Sequence, residues 1–212
     1  MTKIFKLKIV LCLLFVLNLF STTLYAQNID IKILRELNLN RNRKLDNTFR
    51  GITNTASAIS IATPLVVYAV GLIKGDITVK KQGIYIAETF VVSALISTAL
   101  KYSINRERPF TTYPDIEKET NGGSPSFPSG HTSMAFATAT SLSIAFPKWY
   151  VIVPSFLWAS AVGYSRMDLG VHYPSDVLAG AIIGCGSAYL TYQLNHWINK
   201  KSKKERLFYG RD

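Results

Sequence analysis

Five stretches of this sequence are uncharged or nearly so: residues 51–73, 82–100 (broken only by Glu88), 132–147, 149–165 and 177–199. A helix crosses a bilayer with ~20 apolar residues, and ~17 is a practical lower limit. The first, second and fifth stretches meet that length, and the third and fourth are marginal. Yet 149–165, "WYVIVPSFLWASAVGYS", is apolar on every face. A helix bordering water would show a polar side. Trp149 and Tyr150 at its start also suit a membrane interface. The sequence therefore predicts an all-α integral membrane bundle of about five spanning helices, with short ones packed inside it.

The ends of the chain set the orientation. "MTKIFKLK" is basic, the run from Ile9 to Phe20 is apolar, and "STTLYAQ" follows. That pattern reads as a secretory signal peptide over residues 1–26, cut after Ala26, with Leu24 a mediocre residue for the cut. Uncleaved, the same run becomes a sixth spanning helix. Either way the residues after about 27 begin outside the cytoplasm. Residues 27–54 form an extracytoplasmic amphipathic segment, with Ile31, Ile33, Leu34 and Leu37 on one stripe. It reads equally as a helix lying on the membrane, with Arg35, Arg41, Arg43 and Lys44 near headgroups, or as a plain surface helix. Residues 55–198 form the membrane domain and 199–212 a basic cytoplasmic tail. The cytoplasmic loops are then basic, at Lys74 to Lys81, at Lys148 and from Lys200 onward. The outer loops, 101–131 and 166–176, are basic too, so their charge needs another cause.

Lys plus Arg number 24 against 13 Asp plus Glu, a formal charge of +11. An excess of that size points to an anionic partner. Nucleic acid is excluded, because the cations are scattered among apolar runs and no nucleic-acid motif appears. Cys12 and Cys185 make no metal pattern and read as small apolar residues with no disulfide.

The outer loops hold most of the reactive side chains. Lys101, Arg108 and Arg166 offer three cations from separated segments. A transferring phosphoryl group has three equatorial oxygens whose charge must be stabilised. Arginine's planar fork binds oxygen pairs bidentately. Ser129, Gly130 and His131 open an apolar helix whose free N–H groups form an anion site, and Gly130 lets the backbone approach closely. Two of the three histidines, His131 and His172, lie in these loops. One can attack phosphorus while the other protonates the leaving oxygen. Asp176, four residues after His172 and just past Pro174 and Ser175, falls in the first turn of a helix, where it can orient that imidazole. His172 is thus the nucleophile candidate and His131 the general acid.

At these residues the chain resembles the type-2 phosphatidic acid phosphatase superfamily, which includes bacterial acid phosphatases and vanadium haloperoxidases. Its three-part signature is matched by Lys101 with Arg108-Pro109, by Pro128-Ser129-Gly130-His131, and by Ser165-Arg166 with His172 and Asp176. The resemblance spans roughly residues 55–198. It implies a phosphohistidine at His172, oriented by Asp176, with His131 protonating the leaving group. It implies phosphate binding by Lys101, Arg108, Ser129, Gly130 and Arg166, and no metal or other cofactor. The substrate expected is a phosphorylated lipid, either phospholipid, lipid A or isoprenyl diphosphate. The site would face the periplasm at a bacterial inner membrane. Its rivals are a soluble periplasmic acid phosphatase of the same superfamily, a haloperoxidase, and a non-catalytic membrane protein that binds anionic lipid. Arg106, outside the signature, reads as a surface or headgroup charge. Asp115, Glu117 and Glu119 read as a wet loop, Asp168 as a turn residue, and His196 as structural. Glu88, inside a span, is either functional or paired to a neighbouring helix.

Overall fold

The computed structural model describes the backbone of residues 23–209 and the side-chain surroundings of residues 29–198. The expected signal peptide falls almost wholly outside these residues, as do the side chains of the expected basic tail. The described regular structure is all helical: α1 (Thr23–Leu39), a 3-10 turn (Arg43–Leu45), α2 (Asp46–Ile73), α3 (Ile77–Ile104), α4 (Pro109–Thr112), α5 (Gly130–Ala145), α6 (Trp149–Asp168) and α7 (Pro174–Tyr209).

Local chemistry sets the boundaries. The Asp76 side chain accepts from the backbone N–H groups of Thr78 and Val79, which caps α3. Asn105, at φ 50°, closes α3 in the left-handed conformation that a short polar residue tolerates. Pro109 and Pro174 open α4 and α7, where a missing N–H costs nothing.

Helices α2, α3 and α7 are long and apolar enough to cross a membrane. Helix α5 has 16 residues, ~24 Å at ~1.5 Å per residue, and sits at the centre against α2, α3, α6 and α7. Its buried positions are Ala, Ser and Thr. Ser133 bonds Ser93 at 2.6 Å and Ser97 at 2.8 Å, and Thr138 donates to Ser60 at 2.9 Å. Large apolar side chains point the other way: Leu65, Leu95, Leu157, Leu178 and Ile182 are all more than half exposed. An interior of small hydroxyl residues under an apolar coat is what packing in lipid favours, because tails solvate leucine as well as a core does. Where α7 crosses α5, a Cβ on Gly180 would lie 2.6 Å from Ser129 O, and one on Gly184 would lie 2.4 Å from Ser133 O. Only glycine permits that approach.

One end of the bundle gathers the end of α3, the start of α5, the end of α6 and the start of α7. The α2–α3 turn at Lys74 and the start of α3, with Lys80 and Lys81, lie at the other end, where Gln82 Nε2 of α3 donates to Ala145 O, the last residue of α5, at 2.7 Å. Helix α1 lies across the first end. Ile31 and Leu34 bury themselves with Ile116 and Tyr173. Asn38, fully buried, donates to Glu117 O and Asp168 O and accepts from Glu117 N. Three of the four basic residues expected near headgroups are paired within the protein. Arg35 pairs with Asp115 at 2.8 Å, Arg43 with Glu117 at 2.6 Å, and Arg41 with Asp46 at 3.1 Å and Glu117 at 2.7 Å. The acids expected in a wet loop are their partners. Glu88 accepts from Asn195 of α7 at 2.5 Å, so it is paired across helices. Asp168 is the last residue of α6 and is buried rather than placed in an open turn.

Candidate active site

The collected helix ends bring Lys101, Arg108, Ser129, Gly130, His131, Arg166, His172 and Asp176 together. Helix α3 carries Lys101 in its last turn, and Nζ donates to Pro125 O at 2.7 Å. Arg108 follows that helix. Its Nε donates to Ser124 O at 2.7 Å, and its Nη1 to Val171 O at 2.8 Å and His172 Nε2 at 3.3 Å. Arg166, 2% exposed near the end of α6, donates through Nη1 to Thr53 Oγ1 at 2.8 Å and through Nη2 to Asn121 O at 3.1 Å. Its buried Nε has no protein partner, leaving an N–H for an anionic oxygen. A Cβ on Gly122 would stand 2.7 Å from Arg108 Nη1, so a glycine there lets the guanidinium through.

Ser129 caps α5. Its N–H donates to Asp176 O at 3.0 Å and its Oγ bonds Thr132 Oγ1 at 2.8 Å. A Cβ on Gly130 would meet only Lys101 Cε, at 3.7 Å, so the protein leaves room beside that ammonium. His131, next along, feels the same cations. Burial first, then the charges of Arg166, Arg108 and Lys101, push its pKa down to about 4.

His172 is 1% exposed. A guanidinium only donates, so Nε2 beside Arg108 must accept, and the proton of the neutral ring sits on Nδ1. Nδ1 faces Asp176 Oδ2 at 3.4 Å, with Ser126 Oγ at 3.5 Å. The carboxylate is held by Tyr173 N at 3.0 Å, by a short bond from Ser126 Oγ, and by Arg106 Nη1 on Oδ1 at 2.7 Å. Burial holds the His172 pKa below its ordinary value, and Asp176 offsets that in part. The arrangement presents an unprotonated Nε2 among three cations and a helix N-terminus. An imidazole so placed can attack an electrophile whose oxygens the cations hold. Among the described residues, no group of three or more His, Cys, Asp or Glu side chains could hold a metal ion.

Three contributors carried no sequence signal strong enough to find them. Ser126 sits in a Ser-rich loop, and Thr53 lies far away on α2. Arg106 was expected at the surface; it pairs instead with Asp176 and with Asp30 of α1. Its position two residues before Arg108 was the available hint.

A sequence model of the PAP2 superfamily matches residues 82–200. The chain is 34% identical over 116 residues to an undecaprenyl-diphosphatase of Sulfolobus acidocaldarius, covering 54% of this chain and 56% of that protein. It is 35% identical over 101 residues to a lipid A 4'-phosphatase of Bacteroides thetaiotaomicron, covering 48% and 45%. The chain thus spans about half the length of these relatives. Its fold matches the crystal structure of a transmembrane PAP2-type phosphatidylglycerolphosphate phosphatase from Bacillus subtilis, with TM-score 0.72 and 27% identity over 90% of this chain and 96% of that one. The chain is a multi-pass helical membrane protein, and it belongs to the PAP2 superfamily.

Proposed function

We propose that this protein is a membrane phosphatase that hydrolyses a phosphate monoester or diphosphate on a lipid through a phosphohistidine on His172. The observation that carries the reading is the His172 ring: Nε2 lies beside Arg108 and Nδ1 faces Asp176. Nε2 attacks phosphorus as the bond to the leaving oxygen breaks, and His131 gives that oxygen its proton. Water then attacks the phosphohistidine while His131 takes back a proton, the P–N bond breaks, and inorganic phosphate leaves. Lys101, Arg108, Arg166 and the N–H groups opening α5 hold the equatorial oxygens in both steps. Asp176 keeps the Nδ1 proton in place and stabilises the ring as charge develops.

A lipid substrate is supported by the apolar outer surface and by the relatives named as acting on undecaprenyl diphosphate and lipid A. With the reactive groups gathered at helix ends, a lipid phosphate reaches them at headgroup depth while its tail stays in the bilayer. A site facing the periplasm at a bacterial inner membrane is supported by the basic residues at the opposite end, once the cations of the outer loops are assigned to phosphate binding and internal ion pairs. The apolar coat argues against a soluble acid phosphatase. Lipid binding alone needs the cations but not an imidazole paired with a buried carboxylate.

The test is phosphate release by the purified protein in detergent with chelator present. Phosphatidic acid, phosphatidylglycerophosphate, undecaprenyl diphosphate and lipid A would each be compared with the His172→Ala variant. Release from at least one lipid, abolished in the variant, is the expected result. Binding without release from any of them would turn the reading toward a lipid-binding protein.

A further inference from the structure

We propose that α1, which precedes the matched family region, completes the catalytic arrangement: Asp30, acting through Arg106, is a positioning residue for Asp176. The proposal rests on the phosphatase reading above. Asp176 is fully buried, and its two oxygens have different company. Oδ2 takes Ser126 Oγ and Tyr173 N and faces His172. Oδ1 takes Arg106 Nη1 at 2.7 Å. Arg106 therefore sets how the carboxylate is turned about its own axis, and so how Oδ2 presents itself to Nδ1.

Arg106 is itself fixed on three sides. Nη2 donates to Asp30 Oδ2 at 2.8 Å, Nη1 also donates to Ser175 Oγ at 2.7 Å, and the guanidinium carbon lies 3.8 Å from the Tyr173 ring centroid. Asp30, 6% exposed, accepts the Ser175 backbone N–H at 2.9 Å and the Ser175 hydroxyl, so it also grips the first turn of α7. A planar fork clamped between two acids cannot rotate without breaking a charge-assisted bond at one end. Asp30 has a second, electrostatic effect. Lys101, Arg108, Arg166 and Arg106 all surround the His172–Asp176 pair, and Asp30 offsets the one cation that does not face the phosphate position.

Because Asp30 acts through Arg106, its loss should change turnover and leave phosphate binding alone. Full-length protein in detergent would be assayed on a lipid that the wild type dephosphorylates, with Asp30→Asn, Arg106→Gln, Arg106→Lys and the Asp30→Asn/Arg106→Gln double variant. Misplacing a reacting group costs up to ~100-fold in rate. Asp30→Asn should lower kcat about 10-fold, with KM and orthovanadate inhibition within about twofold of wild type. The double variant should be no slower than Arg106→Gln alone, since the two residues form one chain. Arg106→Lys should recover part of the Arg106→Gln loss. Asn is isosteric with Asp, so Asp30→Asn carries the test even where Arg106→Gln fails to fold. An active wild type with an equally active Asp30→Asn overturns this proposal alone. So do losses that multiply in the double variant, or a loss confined to KM. A wild type as inactive as His172→Ala overturns the phosphatase reading and this proposal with it.

Discussion

Arg108 shows why the site takes an arginine there rather than any cation. Its Nε and Nη1 reach Ser124 O, Val171 O and His172 Nε2 at once. An ammonium on a flexible stem cannot span that set. Arg108→Lys should lower kcat/KM about 100-fold or more, the scale of one lost transition-state donor, as read from initial rates. Gly130→Ala should be different in kind. The added methyl meets only Lys101 Cε at 3.7 Å, so the variant should melt like wild type yet lose phosphate binding, seen as a raised KM and weakened orthovanadate inhibition. The two histidines predict an asymmetric pH profile. His172 must be neutral to attack, and burial brings its pKa from 6.5 down to about 3, so it should impose no loss of kcat/KM between about pH 5 and 6.5. His131 must be protonated to act, yet burial and three cations hold it at about 4 in the free protein. The charge of a bound phosphate opposes those cations and raises that value. The kcat profile should therefore extend to higher pH than kcat/KM, and a shared basic limb would contradict the assignment. The eight motif residues were legible in sequence because their spacing is fixed by chemistry. Ser126 and Thr53 were not, since each contributes a lone hydroxyl from a segment whose position only the fold decides.

Among the elements, the α5–α7 pair governs the site, since α5 opens with Ser129 and Gly130 and α7 with Pro174 to Asp176. A Cβ on Gly184 would stand 2.4 Å from Ser133 O, whereas one on Gly186, on the same helix, would meet nothing within 4 Å. Gly184→Val should destabilise by about 1–3 kcal/mol through overpacking. Gly186→Ala should be neutral or stabilising by up to about 1 kcal/mol, from helix propensity. Thermal melts in one detergent compare the two directly. Equal melting temperatures would mean that the crossing tolerates more than the backbone distances allow. The extents of the helices were largely legible: residues 132–147 and 149–165 were expected, and Gly130–Ala145 and Trp149–Asp168 are found. The seating of α1 was not. Its apolar stripe of Ile31 and Leu34 was visible, but a stripe states only that something covers it. Long-range pairs such as Arg35 with Asp115 decide what does.

The molecule as a whole separates its chemistry from its solvent. An apolar coat faces outward, hydroxyl-rich helices fill the centre, and one end holds the imidazoles, the carboxylate and the buried cations. The class of fold was readable from the apolar runs because a bilayer demands their length. The division of labour among those runs was not, because α5 is too short to span on its own and takes its place from its neighbours. The central claim is that His172 is the atom-bearing nucleophile of this end. The most direct test is to quench turnover of a labelled phospholipid in alkali, which preserves phosphohistidine, and to map the label by mass spectrometry. The account predicts one phosphorylated peptide, carrying the phosphoryl group on His172 and absent from His172→Ala. Phosphate release with no labelled protein, or with the label on another residue, would contradict it.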